Sequence, residues 1–243
     1  MKHIFTNSKT LIMIGLAVAV VAFPALAQGE AGNATVAGHK DKTLWDLFQT
    51  TGPVGYMMLI TFTIGMGLMI ENMVSLRKDK LGPPNLVDEL ETLIEESNYD
   101  EALSVCQSDG SYLANVTAGG LVMKEAGYDE MIRGLEQVSV QEQFKLNQKI
   151  SYLSLIGNIG PLLGLLGTVT GMISSFQEIE KIAAPTPAQL SKGVYESLVN
   201  TTMGLFIGIV FLTAYFLLKN KVTNMSLTLN LMAVEILKKA HVK

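Results

Sequence analysis

Residues 151–177 read SYLSLIGNIGPLLGLLGTVTGMISSFQ, without one charged side chain. A helix crosses a bilayer with about 20 mostly apolar residues, so this stretch predicts a membrane span, and that reading decides the fold. Within it Gly157, Gly160, Gly164, Gly167 and Gly171 recur at spacings of 3, 4, 3 and 4. At helical pitch they form one stripe, and small residues in such a stripe let helix backbones approach closely in lipid. The stripe is therefore a packing face, expected to join subunits. Thr168 and Ser175 stand at its edge, where each hydroxyl can bond back to its own helix or line a polar cavity.

Two further stretches match the first in kind. Residues 47–70, containing VGYMMLITFTIGMGLMI, carry no charge and lead to Glu71 and the basic cluster Arg77, Lys78 and Lys80; residues 197–218 are also uncharged and lead to Lys219 and Lys221. Lys145 and Lys149 precede the central span. Basic residues stay on the cytoplasmic side, so the first span ends, the second begins and the third ends in the cytoplasm. All three agree on one topology, with the N-terminal side of the first span outside.

Composition excludes the competing classes. Of 243 residues, 49% are hydrophobic, 7% aromatic and only 16% charged, and the mean hydropathy is +0.33. Soluble domains carry roughly 25% charged residues, so this chain cannot wet a globular surface. The apolar content excludes disorder. Eighteen basic against 22 acidic side chains give −4, no electrostatic footprint for nucleic acid. Cys106 is the only cysteine, and neither cysteine nor histidine shows metal-ligand spacing. No cofactor is implied. Strand signals and fixed-period repeats are missing, so the expected fold is an all-α integral membrane protein with three transmembrane helices.

The chain starts MKHIFTNSK, continues as the apolar LIMIGLAVAVVAFPALA and reaches Ala25-Leu26-Ala27 before Gln28. A basic start, an apolar run and an A-x-A end make a secretory signal peptide over residues 1–27; the alternative is an uncleaved anchor. Residues 28–51 then form a periplasmic segment and residues 52–76 the first transmembrane helix. Residues 77–149 carry twice as many acidic as basic side chains and form a cytoplasmic helical domain. There Leu86, Leu90, Leu93 and Ile94 follow the breaker Gly82-Pro83-Pro84 at helical spacing, and a turn at Asn98 opens a second helix, giving a small hairpin. The stretch 128–149 lacks proline and runs straight into the second span, residues 150–177. Residues 178–192 form a short periplasmic loop, 193–218 the third span, and 219–243 a cytoplasmic helix with Leu227, Leu231, Val234 and Leu237 on one face.

The third span supplies the polar chemistry. Gly193, Glu196, Ser197, Asn200, Thr201, Gly204 and Gly208 share a sector of roughly 140° at helical pitch. Thr202 adds a second hydroxyl beside Thr201, and Gly204 and Gly208 add small packing positions. An acid within a membrane helix is a functional candidate by default. Glu196, however, stands at the entrance of the span and reads equally well as a solvated interfacial carboxylate, as does Glu71 beside the basic cluster. The spans thus offer hydroxyls and marginal acids but no complete proton relay, so a partner must bring the missing carboxylate.

At this point PLLGLLGTVTGMISSF (161–176) followed by VYESLVNTTMGLFIGI (194–209) resembles the MotA/TolQ/ExbB proton-channel family, most closely its ExbB and TolQ branch. The resemblance covers about residues 50–221, including YDEALSVC at 99–106. It implies a homo-pentamer in the bacterial inner membrane around the single helices of two ExbD- or TolR-like partners, each with a membrane aspartate that takes and releases the ion. A TonB- or TolA-like energy transducer is the further partner implied. Position by position, Thr168 and Thr201 match the hydroxyls that line the family's pore and Glu196 its helix-three acid, which makes Thr168, Thr201, Glu196, Thr202 and Ser175 the candidate ion pathway. The signal peptide and the segment 28–51 depart from the family pattern.

The leading function is the stator subunit of an ion-driven, chiefly proton-driven, motor. A sodium-driven member of the same family is an alternative, since hydroxyl oxygens help to strip water from sodium. A membrane scaffold whose glycines only assemble helices is another. An enzyme has no support, because no nucleophile with its base, no HExxH and no phosphate loop is present.

Overall fold

The structure is a computed structural model that describes residues 52–181 and 187–241. The expected signal peptide and the segment 28–51 lie outside these residues. All regular structure among the described residues is helical: α1 (Gly52–Ser75), α2 (Lys78–Leu81), α3 (Pro84–Glu95), α4 (Tyr99–Asp109), α5 (Tyr112–Leu121), a 3₁₀ turn (Lys124–Ala126), α6 (Tyr128–Glu180) and α7 (Pro187–His241). Three helices, α1, α6 and α7, are long and apolar enough to cross a membrane. The protein is an all-α, multi-pass membrane protein.

The helices outrun the apolar stretches. The acidic segment from Tyr128 continues without a break into the central span, as its lack of proline predicts, and α6 reaches Glu180. The next helix starts at Pro187, inside the stretch expected as a loop. Charge and hydropathy mark where lipid ends, whereas helical hydrogen bonds continue beyond it. Pro187 suits a helix start, since its missing N–H would have no intrahelical partner there.

The chain divides into two compact units. The first comprises the described residues up to 67 and those of 153–214. Its centre is Phe211, fully buried, which lies over Gly65 of α1 and meets Phe62 edge-on with ring centroids 5.8 Å apart. Along the rest of the unit α6 and α7 run antiparallel: Gly157 faces Leu212, Gly160 faces Ile207 and Gly204, and Gly171 faces Ser197. The glycine stripe thus packs against α7 of the same chain. The packing expected of the stripe is made here within one chain. The reason is local, because α7 brings its own small residues, Gly204 and Gly208, into register with Gly160 and Pro161.

The second unit comprises residues 68–152 and the described part of 215–243. Leu86, Leu90 and Ile94 of α3 are buried, as their spacing predicts, and Leu93 is not. Helix α4 ends at Gly110, whose φ of +64° is the left-handed cap that glycine adopts without strain. Ser111 then caps α5, accepting from the Ala114 N–H at 3.3 Å. Helix α5 was not foreseen by the hairpin reading. Tyr112, Leu113, Ala114, Val116, Thr117, Gly120 and Leu121 are all buried, so it has no polar face and hence no amphipathic period to read. Gly119 and Gly134 bring α5 and α6 into backbone contact, and Gly120 gives room to Leu237 of α7.

The end of α7 supplies the rest of this core. Val222, Ser226, Leu229, Ala233, Ile236 and Leu237 are buried, while Leu227 and Leu231 stay exposed. The face expected from sequence is therefore split, and only its last residue, Leu237, is deeply buried. Polar ties fix the docking: the Tyr112 hydroxyl donates to Asn230 Oδ1 at 2.9 Å, and Lys239 Nζ reaches Glu91 at 2.7 Å and Glu95 at 3.3 Å.

Candidate functional site

The antiparallel seam of α6 and α7 in the first unit gathers most of the expected polar residues. Its close approach depends on glycine. A Cβ at Gly164 would stand 3.2 Å from the Thr201 Cα, one at Gly167 would stand 2.5 Å from the Asn200 Cβ, and one at Gly171 would stand 2.5 Å from the Ser197 Oγ. Three successive glycines of α6 thus face three polar residues of α7, all within one turn and a half of that helix. Gly193 meets the Ser175 hydroxyl in the same way.

Each hydroxyl has a defined acceptor. Thr168 Oγ1 donates to the Leu165 carbonyl at 2.6 Å, and Ser175 Oγ to the Gly171 carbonyl at 2.9 Å. Both are the back-bonded arrangement. Thr201 Oγ1 reaches across the seam to the Gly164 carbonyl at 3.4 Å and along its own helix to Ser197 O at 3.3 Å. These are long hydrogen bonds and correspondingly weak. Ser197 Oγ donates to Gly193 O at 2.8 Å and approaches Thr168 O at 3.3 Å. Ser197 therefore links the Thr168 backbone carbonyl to the Thr201 hydroxyl, while the Thr168 hydroxyl itself turns back to Leu165.

The remaining candidates lie apart. Thr202 is exposed, turned from the seam, with its hydroxyl on the Leu198 carbonyl at 2.9 Å. Glu196 is half-buried on α7. Ser197 and Asn200 stand out in sequence only as members of a polar face, yet they are the buried polar groups of α7 in the first unit, at 3% and 4% exposure. The Oδ1 of Asn200 accepts no hydrogen bond. The signal that could have singled it out is its chemistry, since a carboxamide in an uncharged membrane span is rare without a purpose.

The seam holds no buried carboxylate, and among the described residues no three His, Cys, Asp or Glu side chains are placed to hold a metal ion. What it offers is a row of neutral oxygens between two helices. The outer faces of the spans are apolar: Leu162, Leu165, Leu166 and Val169 of α6 and Leu198, Leu205 and Ile209 of α7 are exposed. Lipid or other chains must cover them.

Comparison with known proteins accounts for this arrangement. Residues 107–230, just over half of the chain, match the MotA/TolQ/ExbB proton channel family. The chain is 24% identical over 174 residues to a biopolymer transport protein ExbB homolog of Methanothermobacter thermautotrophicus, covering 71% of this chain and 62% of that protein. It is 31% identical over 91 residues to the Tol-Pal system protein TolQ of Pseudomonas aeruginosa, covering 37% and 39%. The chain thus spans less than two thirds of the length of either relative. Against the biopolymer transport protein ExbB of Salmonella typhimurium, identity is 24% over 216 residues, covering 81% and 86%. The glycine-lined seam and its polar residues are thus parts of a chain that belongs to the MotA/TolQ/ExbB proton channel family, on its ExbB/TolQ branch.

Proposed function

We propose that this chain is the ring-forming stator subunit of a proton-driven motor in the inner membrane. Five copies surround the single helices of two ExbD- or TolR-like partners, and movement of those partners drives a TonB- or TolA-like transducer. The N-terminal side of α1 faces the periplasm; the second unit and the C-terminus face the cytoplasm. The observation that carries this reading is the seam itself. The Thr201 hydroxyl and the Thr168 backbone carbonyl share it through Ser197, while no acid is buried among the described residues of the spans. Such a face needs a carboxylate from another helix to carry protons, and a partner aspartate completes it.

Energetics support the division of labour. Moving one charge through the membrane yields roughly 2.3 kcal/mol per 100 mV, which a partner carboxyl group converts to motion by losing and regaining its charge beside these hydroxyls. Self-association is supported by apolar pairs outside the spans. Val140 and Phe144 of α6 are both 66% exposed, and Leu227 and Leu231 of α7 are 61% and 63% exposed. Adjacent copies would bury such i, i+4 pairs.

The test is co-purification with the product of a neighbouring gene that encodes one membrane helix with a central aspartate, followed by proton flux measurements in liposomes. Flux that requires both chains and that aspartate is expected. A stable complex without flux under any ion gradient would leave only a scaffold.

A further inference from the structure

Arg77 and Lys221 stand just past the ends of two membrane helices. Arg77 follows the end of α1 by two residues, and Lys221 follows the last uncharged stretch, 197–218, by three. Both therefore lie at the level of lipid headgroups. Packing brings them to one side of the second unit. Gly82, which closes α2, lies on Leu229 of α7, with its missing Cβ 2.5 Å from Leu229 Cδ2, and Arg77 is the N-cap of the same short helix. Helix α2 is thus laid against α7, and Lys221 is about 12 Å nearer the span than Leu229, at 1.5 Å per residue. Burial and, after it, the nearby Arg77 charge push the Lys221 ammonium down from its ordinary range. Neither cation has an acidic partner among the described residues; those that do are Arg133, Lys145 and Lys239. Residues 71–81 and 215–222 together hold five cations against Glu71 and Asp79.

Two like charges held together by the fold repel each other until an anion joins them. At this level the anion at hand is a lipid phosphate, and basic pockets between membrane helices take such headgroups. The chemistry of the pair suits it: the Arg77 fork matches two phosphate oxygens, and the Lys221 ammonium adds a point charge. A choline or ethanolamine headgroup fits less well, since it would bring a third positive charge to the pair. We propose that Arg77 and Lys221 clamp the phosphate of one anionic phospholipid, of the phosphatidylglycerol class, in the leaflet on the side of the second unit. The lipid then ties the end of α1 to α7. This site is independent of the channel reading, because neither residue belongs to the seam.

The test uses the full chain in a neutral detergent with short-chain phosphatidylglycerol, short-chain phosphatidylcholine or inorganic phosphate added. Thermal midpoints and native mass spectrometry are the readouts. Phosphatidylglycerol is expected to raise the wild-type midpoint and to stay bound as one molecule per chain, and phosphatidylcholine to do neither. Arg77→Gln and Lys221→Gln should each weaken phosphatidylglycerol binding about tenfold, the loss of one hydrogen bond to a charged group. Without lipid the same variants should unfold no earlier than wild type, because removing one cation relieves the repulsion. Lys219→Gln is the control: it lies at the same level of α7 but about 200° around the helix, with its ammonium 5.8 Å from the centre of the Tyr215 ring. It should bind phosphatidylglycerol as wild type does. Should Arg77→Gln fail to fold, Arg77→Lys keeps the charge without the fork, and Lys221→Gln still decides. Equal losses in Lys219→Gln and Lys221→Gln would leave only the general attraction of a basic surface and overturn the clamp. Equal binding of the two lipids would also overturn it, and so would inorganic phosphate that raises the midpoint as far as the lipid does. No flux enters these readouts, so failure of the channel reading leaves them unchanged.

Discussion

The ring of Phe211 occupies the space that a side chain at Gly65 would need, its Cζ 2.5 Å from where a Cβ would stand. Phe211 is fully buried and is braced edge-on by Phe62, so it has little room to yield. Gly65→Leu is expected to destabilise the chain by about 1–3 kcal/mol, the usual range for overpacking. Combining it with Phe211→Ala should recover part of that loss, because the two changes meet at one point. Thermal or denaturant unfolding of the two single variants and the double variant in detergent checks this; strictly additive effects would show that the contact is not tight.

Gly164→Leu and Gly167→Leu are expected to open the seam within one chain. At both positions the neighbours are Thr201 or Asn200 of α7, so stability should fall even in detergent conditions that separate the subunits. Gly67→Leu is the control, since nothing lies within 4 Å of its missing Cβ. Normal stability of separated Gly164→Leu subunits, with only the ring lost, would place the stripe's role between subunits instead.

Thr168→Val and Thr201→Val preserve volume while removing a donor and an acceptor. Proton flux should fall steeply in both, whereas the corresponding Thr→Ser variants should conduct. Assembly should hardly change, because membrane hydroxyl bonds contribute only about 0.6 kcal/mol to stability. The Thr201 bonds, at 3.3 and 3.4 Å, are the weaker, so Thr201→Val should be the less destabilising of the two. Flux and complex size are measured on the same preparations.

Cys106 is fully buried in α4, and burial, with the Asp109 charge nearby, pushes its thiol up to about 12 from 9.0. The folded chain keeps its proton while the unfolded chain loses it, so this group's contribution to stability is complete below about pH 9 and is lost as pH rises towards 12. At pH 8 an aromatic disulfide reagent should react only on unfolding. Between pH 9 and 11 the thermal midpoint of wild type should fall more steeply than that of Cys106→Ala. Rapid labelling of the native protein would place the thiol at the surface.

Much of this arrangement is legible in the sequence, because uncharged runs and an unbroken polar helix leave few alternatives. Residues 151–177 announced a span, and the proline-free stretch before them announced that α6 would be continuous. Helix α5 leaves no period to read because its partly exposed face carries Ala118 and Gly119, with Asn115 its one polar side chain. Leu227 and Leu231 suggested a docking face by their spacing, yet the core took Val222, Leu229, Ala233 and Ile236. Spacing tells which residues share a face and not what that face meets. The same limit hid the partner of the glycine stripe and the burial of Asn200, both of which depend on how α7 is rotated against α6.

Pro161 stands inside α6. Having no N–H, it leaves the Gly157 carbonyl without its helical donor, and on the facing helix Gly208 lacks the Cβ that would stand 2.7 Å from the proline ring. One turn of this span is thus joined by fewer hydrogen bonds than its neighbours, in a place where the opposing backbone can follow its movement. The compliance of the span is concentrated there, four residues from Gly157 and one turn from Gly164. Elastic deformation imposed on the span would be taken up at that turn while the turns on either side kept their length.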